Sequence, residues 1–368
     1  MKTGITGANG FIGLHLHNYL SLQRDIEIVP FDRCFFEEQE KMDAFVTSCD
    51  CIIHLAGLNR HTSPEVMYET NIRLCLRIIE ACKRTDSTPH ILFSSSTQES
   101  ENNLYGQSKK KCYQILESWA IENGSVVTGA IIPNVFGPFG SPFYNSVVAT
   151  FCHQLTHDES PVIIQDKTLN LIYINNLVTR LYDLILKPLS GRTEIPHQYS
   201  VKVSDILSKL ISFQDEYLNQ GIIPDLTSPM DLDLFNTFRC YVPADHYPVS
   251  FVLNTDHRGS FVEIARTNSS GQFSYSTTKP GITRGNHFHT RKAERFAVIK
   301  GKAKISLRKI GTNEVIDYFL DGEQPSYVDM PVWTTHNITN IGEEELVTLF
   351  WINEPYDEKD PDTYFEDV

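Results

Sequence analysis

The sequence lacks any surplus of positive charge: 32 Lys and Arg stand against 46 Asp and Glu, a formal net charge of −14. Such a chain is not drawn to nucleic-acid phosphates or anionic lipid, so neither is expected as a partner. It also lacks any apolar run near the roughly 20 residues that cross a bilayer. Its first residues, Met1-Lys2-Thr3-Gly4-Ile5-Thr6-Gly7, enter a glycine motif instead of a secretory h-region. A cytoplasmic location is the expectation. The eight cysteines, Cys34, Cys49, Cys51, Cys75, Cys82, Cys112, Cys152 and Cys240, form no CxxC pair and no zinc-finger spacing, which leaves them as reduced structural thiols. With 41% apolar and 21% charged residues, the composition excludes disorder, collagen and a membrane bundle.

The length of 368 residues fits two domains. From Lys2 to about Ile132, β-rich runs (Ile26–Phe31, Cys51–Leu55, His90–Ser95, Val126–Ile132) alternate with helical patterns over Glu65–Arg84 and Tyr105–Asn123. Ile72, Leu76 and Ile79, and later Cys112, Ile115, Leu116 and Trp119, fall at helical spacing. This alternation predicts a doubly wound, Rossmann-like α/β sheet. Helical patterns continue over Asn145–Leu155, Asn175–Leu186 and Ser204–Tyr217, as in a smaller substrate lobe. After Cys240–Tyr247 helical periodicity vanishes and short β segments recur between turns about every ten residues, which predicts an all-β sandwich or barrel. The expected domains are 1–243 and 244–368.

The run Thr6-Gly7-Ala8-Asn9-Gly10-Phe11-Ile12-Gly13 follows the first strand and opens an apolar helix. Glycines are required where the chain turns tightly and its backbone meets a pyrophosphate at the positive end of a helix. Gly7, Asn9, Gly10, Phe11, Ile12 and Gly13 are therefore candidate cofactor contacts. Asp32 and Arg33 end the second strand, nineteen residues after Gly13, where the adenosine ribose would lie. Asp32 suits a free 2′-hydroxyl and Arg33 a 2′-phosphate. The reading leans to NADP(H), because a guanidinium stacks on adenine and binds phosphate while Asp32 turns away.

Tyr105-Gly106-Gln107-Ser108-Lys109 places a phenol and an ammonium one helical turn apart on the same face. Lys109 would stabilise the phenolate, fitting Tyr105 to give a proton to a carbonyl as hydride arrives. Ser94-Ser95-Ser96, ending the preceding strand, offers a hydroxyl to polarise the same carbonyl.

On these residues the chain resembles the extended short-chain dehydrogenase/reductase family of nucleotide-sugar epimerases, dehydratases and reductases. The matching pieces are the glycine run, His54-Leu55-Ala56-Gly57, Asn71, Ser94–Ser96, Tyr105–Lys109 and Ile132-Pro133-Asn134-Val135-Phe136-Gly137-Pro138. The resemblance implies a catalytic set of Ser96, Tyr105 and Lys109, with Ser95 as second choice for the hydroxyl. It implies cofactor contacts from Leu55, Ala56, Gly57, Asn71, Tyr105, Lys109 and Pro133, and substrate contacts from Asn134 and Asn145. His54 reads as a packing and hydrogen-bonding residue, not a base. Leu169-Asn170-Leu171-Ile172-Tyr173 stands where many relatives carry an Arg-Asp-Tyr run, so diphosphate contacts do not transfer.

In the β-rich part, His287-Phe288-His289 falls on a predicted strand, where residues two apart face the same way. With Glu294 and His336 these imidazoles make a candidate mononuclear metal site: His287, His289, Glu294, His336. The spacing from Gly281 to Gly301 resembles the first cupin motif, and Pro331 to Asn340 the second, except that Trp333 replaces a glycine and the gap from Gly322 to Pro331 is long. A cupin implies a double-stranded β-helix holding one divalent metal. Zinc fits His/Glu ligation, while cupins also take Mn, Fe or Ni. Asp256-His257-Arg258-Gly259-Ser260-Phe261 and Arg284-Gly285-Asn286-His287 are also similar to pieces of cupin-type deoxysugar ketone epimerases, which would make His287 the base. An imidazole coordinated to a metal cannot take that proton; Glu294 and His336 favour ligation.

A reductase fused in this order to a cupin resembles the bifunctional capsular polysaccharide assembling protein family, down to the endings Asn353-Glu354-Pro355 and Pro361-Asp362-Thr363-Tyr364-Phe365. That resemblance implies a homodimer acting on a UDP-linked 4-keto-6-deoxy-N-acetylhexosamine. The cupin would epimerise C3 and NADPH would then reduce the C4 ketone, on the route to UDP-N-acetyl-L-fucosamine. Two rivals remain: an epimerase or dehydratase that retains NAD beside an idle cupin, and a non-catalytic assembly or sensor protein.

Overall fold

Thr3, Gly4, Ile5 and Thr6 are all buried, so the first strand, β1 (Lys2–Thr6), is covered on both faces, as a central strand of a parallel sheet must be. The computed structural model describes every residue except Arg258, Val262, Glu263 and Pro355, and the backbone alone of residues 259–261. Arg258 and Pro355, which carry part of the resemblances above, lie outside the described residues, as do the side chains of 259–261. After β1 come α1 (Phe11–Ser21), β2 (Glu27–Val29), α2 (Gln39–Ser48), β3 (Cys51–His54), α3 (Pro64–Thr85), β4 (His90–Ser96), α4 (Leu104–Asn123), β5 (Val127–Ile132), β6 (Asn134–Phe136), α5 (Val147–Thr156), β7 (Thr168–Tyr173), α6 (Ile174–Leu186), β8 (Gly191–Glu194) and β9 (Tyr199–Lys202). Strands pair in the order β2-β1-β3-β4-β5-β8, every pairing parallel. This is the expected Rossmann-like sheet.

Local chemistry sets the helix limits. Ser63 caps α3 by accepting the Val66 amide, Pro64 follows at the first helical position, and the helix stops at Asp86 in the left-handed region. Asn103 caps α4 by accepting the Gly106 amide at 2.8 Å, and Gly124 (φ +67°) ends it. Sequence periodicity did not reveal α2, whose buried stripe is only Met42, Phe45 and Val46. Nor did it reveal α8 (Pro229–Arg239), where Asn236, Thr237 and Arg239 are buried beside Leu234 and Phe235 and blur the pattern.

The remaining strands are β10 (Ile222–Ile223), ahead of α8, and then β11 (Val249–Ser250), β12 (Asn254–Asp256), β13 (Gly259–Phe261), β14 (Arg266–Thr267), β15 (Gln272–Thr278), β16 (Thr283–Phe288) and β17 (Glu294–Lys300). The all-β part, from β11 on, continues with β18 (Lys302–Lys309), β19 (Val315–Asp321), β20 (Ser326–Met330), β21 (Thr334–Asn340), β22 (Leu346–Ile352) and β23 (Tyr364–Phe365). Two five-stranded sheets, β11-β20-β17-β22-β15 and β19-β18-β21-β16-β23, form the two walls expected of a cupin. Val298, Ile305, Leu307, Leu320, Val328 and Ile338 pack in its core.

Packing divides the described chain into Met1–Phe136 with Thr168–Val201, and Gly137–Lys167 with Lys202–Val368. That cut differs from the chain-order boundary after residue 243 because α7 (Val203–Phe213) and α8 are tied to the barrel by buried polar contacts. Arg239 donates to the Met330 carbonyl at 2.6 Å, and Tyr217, in the π turn that continues α7, donates to Asp329 at 2.5 Å. All eight cysteines are free thiols, six of them buried. Among the described residues no helix is long and apolar enough to cross a membrane.

Candidate functional site

In the first unit, the turn between β1 and α1 is shaped for close backbone approach. Gly7 has φ +81°, and a Cβ there would lie 2.8 Å from the Ala56 amide nitrogen. A Cβ on Gly13 would overlap the carbonyl oxygen of Gly7. The N-cap, Gly10, makes no side-chain cap and the first turn of α1 carries no acid, so the positive end of the helix is left to an anion. Asn9 is exposed in this turn, while Phe11 and Ile12 are half-buried. These residues fit a dinucleotide pyrophosphate. Asp32 is exposed, and its Oδ1 accepts the Cys34 amide at 2.8 Å, which holds its pKa below the ordinary carboxylate value. Arg33 beside it is exposed.

Leu55, Ala56 and Gly57 follow β3. A Cβ on Gly57 would sit 3.0 Å from Asn71 Oδ1 and 3.7 Å from Lys109 Nζ, so the loop passes directly over both. Asn71 is buried, and its amide is taken up within the protein. Oδ1 accepts the Leu58 amide at 2.7 Å, and Nδ2 donates to the Leu58 carbonyl at 2.9 Å and to Ser108 Oγ at 3.0 Å. Ser108 Oγ in turn donates to the Tyr105 carbonyl at 2.7 Å. Asn71 thus ties the loop after β3, through the Leu58 backbone, to the helix carrying Tyr105. Pro133 is buried between β5 and β6.

Tyr105 and Lys109 lie on one face of α4, with Lys109 Nζ 5.8 Å from the centre of the phenol ring. Nζ also donates to the Ser94 carbonyl at 2.9 Å. A Cβ on Gly106 would overlap the Gln98 carbonyl oxygen, so only glycine lets the first turn of α4 close on the Ser96–Gln98 turn. The three serines differ in what their hydroxyls do. Ser94 Oγ donates to the His54 carbonyl at 3.1 Å, and Ser95 Oγ donates to Glu99. Ser96 Oγ accepts the Gln98 amide at 3.2 Å, which leaves its hydrogen to donate. Glu99, in turn, pairs with Arg192 at 2.8 Å. Sequence reasoning assigned no role to Glu99, because nothing in the spacing marks a carboxylate in a short turn as the partner of Ser95. His54 is buried between Phe36 and Phe93, accepts or donates at Thr6 Oγ1 (2.7 Å), and has its pKa pushed down to about 3 by burial and by the Lys109 charge. It stays neutral.

Asn134 is exposed at the start of β6 in the first unit. Asn145 is exposed ahead of α5 in the second.

In the second unit, His287, His289, Glu294 and His336 bring one ligand atom each within 4.8 Å of one another. The antiparallel register sets His287 opposite His336, and a β-bulge at Gly285/His287, with Asn286 at φ +58°, re-aims the end of β16. His289 lies just past that strand, and Glu294 opens β17 in the facing sheet. Nε2 of His289 and of His336 lie 3.1 and 3.2 Å from Glu294 Oε2, yet none of these three buried atoms has a hydrogen-bond partner. Both rings donate Nδ1–H to carbonyls, of Asp362 and of Thr334, so both Nε2 lone pairs point inward. Burial and the neighbouring His336 push the His287 pKa down to about 4. Burial works against ionisation of Glu294, but the His289 and His336 rings outweigh it and hold the carboxyl well below its usual range. Three imidazoles converging with a carboxylate make a donor set that fits a divalent metal. Trp333 also explains the departure from the cupin pattern. It takes φ +57°, the left-handed conformation that glycine supplies elsewhere, and stacks on Phe288 at 5.5 Å.

Comparison with known proteins agrees with both halves. The model of the NAD dependent epimerase/dehydratase family matches residues 4–199, and that of the polysaccharide biosynthesis C-terminal domain matches residues 254–364. The chain is 35% identical over 369 aligned residues to a UDP-2-acetamido-2,6-beta-L-arabino-hexul-4-ose reductase of Pseudomonas aeruginosa, covering 99% of this chain and 98% of the relative. The crystal structure of the capsular polysaccharide assembling protein CapF from Staphylococcus aureus covers all of both chains at 34% identity, with a TM-score of 0.64. The structure of RMD from Pseudomonas aeruginosa, complexed with NADPH, shares the fold of 58% of this chain at 19% identity and a TM-score of 0.54, covering 85% of that chain.

Proposed function

Since the chain belongs to the NAD dependent epimerase/dehydratase family and carries the polysaccharide biosynthesis C-terminal domain, we propose that it is a bifunctional nucleotide-sugar enzyme. On this reading residues 244–368 epimerise C3 of a UDP-2-acetamido-2,6-dideoxy-4-hexulose, and residues 1–243 then reduce its C4 ketone with NADPH. The product serves UDP-N-acetyl-L-fucosamine and surface-polysaccharide precursor synthesis. The enzyme works in the cytoplasm as a homodimer, with zinc in the cupin.

The observation that carries the reading is the state of the three serines beside Tyr105 and Lys109. Only Ser96 keeps a hydroxyl hydrogen to donate to a ketone oxygen. Tyr105 then gives its phenolic proton to that oxygen while Lys109, anchored on the Ser94 carbonyl, stabilises the resulting phenolate. The nicotinamide, when bound, supplies the hydride to C4. The glycine turn seats its pyrophosphate, and Arg33 takes the 2′-phosphate. Asn134 and Asn145 contact the sugar nucleotide.

In the barrel, the ketone acidifies the C3 proton, so that a base removing it from one face and an acid returning a proton to the other invert C3 through an enolate. A metal there, when bound, supplies positive charge for the enolate oxygen. His287, His289, Glu294 and His336 are the residues that hold it.

The test is incubation of the purified protein with enzymatically made UDP-4-keto-6-deoxy-HexNAc in D₂O, with and without NADPH. Loss of absorbance at 340 nm together with deuterium at C3 is the expected result. Oxidation without deuterium leaves a plain reductase with a structural cupin, and no change in either signal removes this substrate.

A further inference from the structure

The C-terminal strap crosses the loop that joins two candidate metal ligands, His289 and Glu294. β23 pairs with β16 at His287↔Phe365 and Phe288↔Tyr364, which places Asp362 under that loop. Asp362 is buried, 3% exposed, with its backbone at φ +44°. Its carboxylate accepts three successive amides, those of Thr290 (3.1 Å), Arg291 (3.0 Å) and Lys292 (3.1 Å), and the Thr290 hydroxyl at 2.6 Å. Its carbonyl oxygen accepts the Nδ1–H of His289 at 2.5 Å. One residue therefore fixes both the loop and the ring it carries. Lys292, buried beside it, reinforces the contact by donating to the Pro361 carbonyl at 2.8 Å.

A carbonyl can only accept, so the His289 proton sits on Nδ1 and the lone pair on Nε2 faces Glu294 and His336. Partners of this kind set tautomer, ring direction and basicity of a metal-binding histidine, and losing one typically costs about 10–100-fold in metal affinity. We propose that Asp362 is a positioning residue of the metal centre: it clamps residues 290–292 and presents His289 Nε2 to the ion. This rests on the metal reading given above and reaches beyond the four ligands.

The experiment uses full-length protein stripped by chelator, as wild type, Asp362→Ala, Asp362→Asn and Arg291→Ala. Zinc affinity is read by competition with a chromophoric chelator, and ligand geometry by the visible band of the cobalt(II) form. Asp362→Ala is expected to bind zinc about 10–100-fold more weakly, with an altered cobalt band. Asp362→Asn, which keeps an acceptor oxygen and tolerates the left-handed backbone, is expected to recover most of the affinity. Arg291→Ala releases the outer contacts of the strap to Glu354 and Asp360 but not those of Asp362, and is expected to bind as wild type. Equal affinity and an unchanged cobalt band in Asp362→Ala overturn the role; so does Arg291→Ala matching its loss. Should Asp362→Ala not fold, Thr290→Val removes one clamp contact and is expected to weaken zinc several-fold, with no change overturning the role. A wild type that binds neither zinc nor cobalt overturns the metal reading itself.

Discussion

The carboxylate of Asp32 accepts the backbone N–H of Cys34 at 2.8 Å, while its neighbour Arg33 stays exposed at the start of the 3₁₀ turn that follows β2. Capping a 3₁₀ turn engages one oxygen of this acid, and a guanidinium exposed beside it is suited to a 2′-phosphate. Charge-assisted hydrogen bonds are worth roughly 1.5–3 kcal/mol. Arg33→Ala is therefore expected to weaken NADPH about 10- to 100-fold and NADH little, measured by fluorescence titration. Equal losses for both cofactors would remove Arg33 from the phosphate site.

The serines give a second, sharper expectation. Ser96→Ala removes the one serine hydroxyl hydrogen available to the ketone and should lower kcat about 10²–10³-fold, the usual cost of an oxyanion donor. Ser95→Ala only frees Glu99, which Arg192 still holds, and should cost less than about tenfold. Tyr105→Phe removes the proton donor, a loss of about 10²–10⁴-fold. Steady-state NADPH oxidation measures all three, and a Ser95→Ala defect exceeding that of Ser96→Ala reverses the assignment.

Two buried neutral histidines make the stability of the first unit depend on pH. His54 is held down to about 3 by burial and Lys109, and His90 to about 4 by burial. Both are close to 6.5 when the chain is unfolded. Between those values the unfolded chain binds more protons than the folded one, so stability rises with pH up to about 6.5 and falls below it. Each histidine contributes roughly 1.4 kcal/mol per pH unit in that window. Urea midpoints should drop steeply between pH 6.5 and 5, and His54→Gln, though less stable at pH 7, should show a shallower slope. An unchanged slope in that variant excludes His54 as a source.

How far all this was legible depends on how local the signal is. The glycine turn, the Tyr105–Lys109 pair and the β-rich cupin runs are written in short spacing, and sequence alone places them. α8 was not legible because its buried face includes Asn236 and Arg239, whose partners Arg291 and Met330 are more than fifty residues away. His289 was expected on the same strand as His287, but β16 ends at Phe288, and the ring is held by Asp362, 73 residues downstream. Which serine is available could not be read either, since Ser94, Ser95 and Ser96 are chemically identical until their hydroxyl partners are fixed by the fold.

Glu294 decides whether the barrel cluster is a metal centre or a buried ion pair. Its carboxylate oxygen lies 3.1 and 3.2 Å from two imidazole nitrogens. One carboxylate among three imidazoles supplies the mixed nitrogen and oxygen donors that suit a divalent ion such as zinc. Wild type is therefore expected to carry about one zinc per chain by elemental analysis, and Glu294→Gln and His336→Ala much less. A ligand that binds only the folded state stabilises it, by about 2.7 kcal/mol at a hundred times its Kd. Chelation should lower the thermal midpoint of wild type by several degrees and leave that of Glu294→Gln unmoved. If the variant still loses stability on chelation, the metal sits elsewhere and the four residues are an ion-pair network instead.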